Sequence, residues 1–225
     1  NRIARRDYFD KIMGFSSSIF NVEGLGSSQN LLVPGIEFKK SYERLFKKNN
    51  KTKKIFVIGM PSYEKVLSIK EKWNEKKRRI FLSKLSINYK KDIYTFFLTY
   101  SEYDNIKIDE IFMVINEIKK EKKNFFFLLI FHPKTRKKDF IKINDRLKSK
   151  NKNYKLVVGT GNEIFNTKII LSSYLLLQKQ STVGFLIMLL KKPVISYNLL
   201  KTNYEDDMYK IMGASLHCEN IYTLK

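Results

Sequence analysis

Three short stretches carry residue types that could do chemistry. The first is His132-Pro133-Lys134, directly after the apolar run Phe125 to Phe131, with Arg136 two residues on. Proline restricts its own backbone, so a histidine before it at a strand end is a stiff, partly exposed imidazole. Beside Lys134 it can contact phosphate oxygens or move a proton. The second is Gln180-Ser181-Thr182-Val183-Gly184, ahead of an apolar helical stretch. Hydroxyls at a helix start cap it, and the free N–H groups there attract anions. The third is Val158-Gly159-Thr160-Gly161-Asn162, a G-x-G turn. Each has a plainer explanation: a strand-ending proline with a bystander histidine, an ordinary N-cap, and a tight turn.

Other chemistries lack their residues. There is no Walker-type G-x-x-x-x-G-K and no H-E-x-x-H, so P-loop and zincin activities have no support. A lone cysteine, Cys218, excludes a disulfide framework or a cysteine-rich zinc site and is expected to be a small buried hydrophobe. His217 beside it is expected to be structural, and Glu205-Asp206-Asp207 an acidic surface loop. No metal and no cofactor is expected.

The elements that must position the three stretches follow from periodicity. Ile55 to Ile58 predicts a strand and Tyr63 to Ile69 a helix face; Arg79 to Leu85 predicts the next strand. Ile108, Ile111, Phe112, Ile115 and Ile118 mark an amphipathic helix, with Asp109 and Glu110 suiting its positive end. Phe125 to Phe131 is apolar on both faces, as a central parallel strand requires. A helix over 139–150, a strand over 154–158, a helix over 163–170, a strand over 173–177, a helix over 182–190 and a last strand over 194–197 complete the series. Strands separated by single helices predict an α/β, Rossmann-like doubly wound parallel sheet. Such sheets bind ligands at the carboxyl ends of their strands, where all three stretches fall. The domain is expected over 55–225. Residues 1–54, with a helix-like Glu37 to Lys48 and the run Lys47 to Lys54, read as a connecting segment or the tail of a preceding domain, and the whole as a fragment of a longer chain.

The 225 residues carry 44 Lys+Arg against 22 Asp+Glu, a net charge of +22. An apolar fraction of 43% excludes a disordered polycation. Lysines number 36 against 8 arginines, alongside abundant Ile, Asn, Phe and Tyr, a bias that an AT-rich genome also produces. The charge alone therefore permits nucleic acid, anionic lipid or a phosphorylated ligand without selecting one. No apolar run reaches the ~18 residues of a membrane span, and no signal peptide is visible.

In order and spacing, the stretches resemble a known group. Ser181-Thr182-Val183-Gly184 continuing to Lys192-Pro193-Val194-Ile195 is similar to the S-T-V-G…K-P-V-I signature of the C-terminal, nucleotide-binding domain of GT-B glycosyltransferases and UDP-N-acetylglucosamine 2-epimerases. His132-Pro133 resembles the HP motif of the capsule-polysaccharide and CDP-glycerol glycerophosphotransferase branches. Lys54 to Val66 looks like the segment that opens the second Rossmann domain in these proteins.

The resemblance implies half of a GT-B fold that binds a nucleotide-activated donor. It implies a cytoplasmic transferase of a sugar or polyol phosphate in surface-polysaccharide synthesis, acting on a polysaccharide or lipid-linked acceptor. His132 would be catalytic; His132, Lys134, Ser181, Thr182 and Gly184 would hold donor phosphates; Gly159, Gly161 and Asn162 would lie against the nucleotide. A peripheral position on an anionic membrane surface is expected, and nucleic acid is not. Leu186 stands where many members have the Glu that binds ribose hydroxyls, and Lys191 where they have Gly. Ser62 and Glu64 replace an Arg and an Asp of the opening segment. The alternatives are a 2-epimerase-like isomerase or hydrolase, disfavoured by Leu186, and a non-catalytic basic binding module.

Overall fold

A computed structural model of the chain describes residues 30–33, 35–48, 53–59, 62–98, 105–150, 153–179, 181, 183–200, 215–220 and 222. They fall into two compact units that divide after Lys65.

In the first unit, β1 (Asn30–Val33) and β2 (Lys54–Val57) pair in parallel, joined by helix α1 (Ile36–Lys48). The Ile58 N–H extends the ladder to the Val33 carbonyl at 3.0 Å. Val33, Phe46 and Ile55 form a small core of their own, with Leu31 and Tyr42 against it. The strand expected at Ile55 is therefore present, but its partner is β1 and not the large sheet. Helix α2 (Ser62–Glu71) spans the division between the units.

The second unit holds a six-stranded sheet, parallel throughout, in the order β5-β4-β3-β6-β7-β8. Its strands are β3 (Asp92–Phe97), β4 (Phe125–Phe131), β5 (Tyr154–Val158), β6 (Leu175–Gln178), β7 (Val194–Tyr197) and β8 (Leu216–Cys218). Between them run α4 (Asn105–Glu121), α5 (Lys137–Lys150), α6 (Glu163–Ser172) and α7 (Val183–Leu189). The chain steps outward from β3 through β4 to β5, then returns to the far side of β3 for β6, β7 and β8. That is the doubly wound, Rossmann-like topology, and its strand order reverses at β3.

Two sequence expectations fail here. Arg79 to Leu85 is not a strand; helix α3 (Glu75–Lys84) covers it. Asn74 caps that helix, its Oδ1 accepting from the Lys77 N–H at 3.0 Å. The end is equally defined: Ser86 takes a left-handed φ of 54°, and the Ile87 N–H returns to the Leu82 carbonyl at 2.9 Å. Arg78 then fastens the helix by donating to the carbonyls of Tyr89, Lys91 and Ser172. The second miss is β3, whose six residues Asp-Ile-Tyr-Thr-Phe-Phe form the centre of the sheet, buried on both faces. Strand β8, three residues long, was also not anticipated.

On one sheet face Tyr94, Phe96, Phe127, Leu129 and Phe131 pack against the apolar stripe of α4 and the inner side of α5. On the other, the Thr95 hydroxyl meets the Ser173 hydroxyl at 2.7 Å, and Ser173 in turn donates to the Ile169 carbonyl. Ser173 spends its only proton on Ile169, so Thr95 is the donor of the first bond. Cys218 is buried in the α4-side core, as expected.

Candidate functional site at the carboxyl edge of the sheet

His132 leaves β4 at its carboxyl end, where the strand has just delivered the fully buried Phe131. The loop is a tight turn: the Thr135 N–H donates to the His132 carbonyl at 2.9 Å. Inside it the Lys134 N–H donates to His132 Nδ1 at 3.1 Å. This bond requires Nδ1 to be an unprotonated acceptor, which leaves the proton of a neutral imidazole on Nε2. Partial burial, and then the charge of Lys134, hold the imidazole pKa below its ordinary value of 6.5. At neutral pH the ring is therefore an uncharged Nε2–H donor rather than an imidazolium. Thr135 adds a buried hydroxyl that has no hydrogen-bond partner among the described residues. Arg136 is otherwise engaged: its Nε and Nη2 bond the Asp139 carboxylate at 2.8 and 3.2 Å, at the start of α5.

The turn after β5 packs against this loop. Gly159 N–H donates to the Phe131 carbonyl at 2.7 Å. A Cβ on Gly159 would stand 2.9 Å from that same carbonyl oxygen and 3.8 Å from Pro133 Cδ, so only glycine permits the approach. Gly161 has a left-handed φ of 70°. Asn162 caps α6, with Oδ1 accepting from the Ile164 and Phe165 N–H groups at 2.8 and 3.2 Å. Thr160 Oγ1 accepts from the Asn162 N–H. The polar groups of this turn are thus bonded to its own backbone.

Ser181 comes after β6. Its hydroxyl accepts from the Val183 N–H at 3.4 Å, and its carbonyl from the Gly184 N–H at 2.9 Å, so it bonds the first residues of α7 from just before the cap position. Gly184 is buried. Thr182 and the acidic triplet Glu205 to Asp207 lie outside the described residues. Leu186 is buried in α7.

The structure brings the His132 and Ser181 turns to the same edge, on the two strands that flank β3. It also shows an ion pair that the sequence reasoning missed. Glu110, 1% exposed on α4, binds Lys179 Nζ at 2.5 Å just past β6 and accepts from the Leu200 N–H beyond β7 at 3.4 Å. The available signal was a carboxylate beside Ile108, Ile111 and Phe112 on the inward helix face. A helix-end role had absorbed Glu110 instead. His217 Nε2 lies 3.3 Å from Glu219 Oε1, beyond β7 on the last strand. Among the described residues, no three His, Cys, Asp or Glu side chains gather as a metal site. No described helix is long and apolar enough to cross a membrane.

The sheet order defines a Rossmann-like, doubly wound class of domain, and solved structures give it a setting. The chain is similar to UDP-GlcNAc 2-epimerase from Methanocaldococcus jannaschii in complex with UDP-GlcNAc and UDP, at 25% identity and TM-score 0.56, covering 88% of this chain and 52% of that one. It is similar to UDP-GlcNAc 2-epimerase from Neisseria meningitidis bound to UDP-GlcNAc (17% identity, TM-score 0.60, 88% and 51%). It is also similar to a variant of the wall teichoic acid polymerase TagF (16% identity, TM-score 0.60, 87% and 47%). All are GT-B proteins, and the chain has the fold of about half of each. Neither a protein-family model nor a curated protein sequence matches it.

Proposed function

We propose that this chain is the donor-binding half of a GT-B type transferase that moves a sugar or polyol phosphate from a nucleotide-activated donor during surface-polysaccharide synthesis. The observation that carries this is that the His132 and Ser181 turns follow the two strands on either side of β3, where the strand order reverses, the place at which open α/β sheets bind their ligands. The N. meningitidis epimerase structure holds UDP-GlcNAc, the M. jannaschii one UDP-GlcNAc and UDP, and one TagF variant was soaked with CDPG.

In this reading, the bond from donor phosphate to transferred group breaks and the departing nucleoside phosphate gains negative charge. His132 Nε2–H and the Lys134 ammonium face that charge, and the Ser181 and Thr182 hydroxyls hold the neighbouring phosphate. The Gly184 N–H is already bonded to Ser181, so Gly184 contributes space rather than a donor. Gly159 and Gly161 shape the wall against which the nucleotide rests, and Asn162, its side chain spent on the cap of α6, holds that wall in place without touching the nucleotide. Residues 1–54 connect to a preceding domain that binds a polysaccharide or lipid-linked acceptor. The excess of lysine holds the protein against an anionic, cytoplasmic membrane face.

Calorimetry with CDP, CMP and UDP tests the donor site. Binding of at least one is expected, and His132→Ala with Ser181→Ala should weaken it by about tenfold, ~1.4 kcal/mol. Unchanged affinity in the double variant would sink the assignment.

A second reading, a UDP-GlcNAc 2-epimerase-like isomerase, draws on the 25% identity to the M. jannaschii enzyme. The buried Leu186 offers no carboxylate to a ribose. Release of N-acetylmannosamine from UDP-GlcNAc by the full-length protein, followed by NMR, would favour this reading over transfer.

A further inference from the structure

The opposite, amino edge of the sheet holds a cavity of about 430 Å³, within the range of small-molecule sites. Its floor is set by the starts of two strands: Tyr174 and Leu175 at the head of β6, and Pro193 directly before β7. Its wall is the last turn of α4, with Glu117, Ile118 and Glu121, together with Lys122 just beyond the helix end. Tyr94 of β3 lines it as well, with its ring 5.5 Å from that of Tyr174.

Three observations there go beyond packing. Tyr94 is 2% exposed, yet its hydroxyl has no hydrogen-bond partner among the described residues. Leaving such a group buried and unbonded costs stability that a bound polar atom would recover. Burial, then Tyr174 and Asp92, push the phenol pKa up to about 12, so it stays a neutral donor. At the mouth, one carboxylate and one ammonium are uncommitted. Glu117 is held through both oxygens by Lys120 Nζ at 3.0 Å, but Glu121 and Lys122 side chains form no ion pair among the described residues. Between the charged mouth and the hydroxyl lie flat aromatic and aliphatic walls.

We propose that this cavity binds a small aromatic zwitterion of the amino-acid type. Its ammonium would face Glu121, its carboxylate Lys122, its ring would lie against Tyr174, Leu175, Ile118 and Pro193, and a polar atom at its far end would pair with the Tyr94 hydroxyl. The cavity lies at the opposite edge of the sheet from the donor turns, separated from them by the length of the strands. The proposal does not depend on what the donor edge binds.

The probes are L-tyrosine, which has a distal hydroxyl, and L-phenylalanine, which lacks one, each titrated into the purified chain by calorimetry and saturation-transfer NMR. Binding of L-tyrosine is expected. Tyr94→Phe should weaken L-tyrosine by about tenfold while leaving L-phenylalanine unchanged, the effect of one buried hydrogen bond. Glu121→Gln and Lys122→Gln, both exposed and tolerant positions, should each weaken both ligands. Far-ultraviolet circular dichroism of every variant confirms that it is folded. The proposal is overturned if neither ligand binds, if Tyr94→Phe affects both equally, or if saturating UDP displaces L-tyrosine.

Discussion

The turns after β4 and β5 sit side by side on one sheet edge, and their polar atoms have opposite fates. In the β5 turn, Thr160 and Asn162 bond to their own backbone, and Gly159 exists to let two strands' ends approach. In the β4 turn, Nδ1 of His132 is spent internally, but the buried Thr135 hydroxyl is not used by the turn. The first turn therefore builds the second. Being at the carboxyl edge does not by itself make a loop a ligand site; a polar atom left over after the turn is closed, as at Thr135, is what the proposed donor site would draw on.

That contrast can be broken in four ways. The largest effect is expected from Gly159→Ala, whose Cβ meets the Phe131 carbonyl at 2.9 Å. Overpacking against backbone should cost about 2 kcal/mol in urea unfolding and also displace the His132 turn. Donor affinity should fall with it, although Gly159 donates nothing to a ligand. Next comes the double variant His132→Ala and Ser181→Ala, with its loss of about tenfold in affinity.

Asn162→Ala should do the reverse. Loss of the cap of α6 costs about 1 kcal/mol of stability, while nucleotide affinity by calorimetry stays within error. A parallel loss of affinity would show that Asn162 touches the ligand after all.

The smallest effect is a pH dependence. The His132 pKa is lowered in the fold, so between that value and the unfolded one the unfolded chain binds more protons. Stability from this group is thus complete above the unfolded pKa and is lost as pH falls through the folded one. Denaturant midpoints at pH 5 and pH 7 should differ more for the natural chain than for His132→Gln. An equal difference would mean that the imidazole is unperturbed.

How far the sequence revealed this arrangement depends on how each element is held. Strand β4 was legible because a buried central parallel strand is a continuous apolar run, and α4 because its isoleucines repeat with helical period. Helix α3 was not, since Ile80, Phe81 and Leu82 mimic a strand while the deciding features are local caps at Asn74 and Ser86 and the long-range grip of Arg78. Strand β3 was overlooked because Asp92 and Thr95 interrupt its apolar run. Thr95 finds its partner in Ser173, 78 residues away, a pairing no local window contains. Of the candidate site, residue types and edge placement were readable. Which polar atoms each turn consumes was not, because that is decided by its backbone hydrogen bonds.

The position of β3 has a consequence for how the chain is made. Its Tyr94 pairs on one side with Phe127 and on the other with Leu175, so that second ladder waits for some 80 further residues. At ribosomal speeds of about 5–20 residues per second, that aromatic-rich edge of β3 stays bare for about 4–16 seconds. Such an edge invites pairing with a neighbouring chain. Arrival of β6 seals it, and the Arg78 bond to the Ser172 carbonyl, just ahead of that strand, fastens the newly made segment to one already in place. Translation rate should therefore affect how much of this protein reaches its native state.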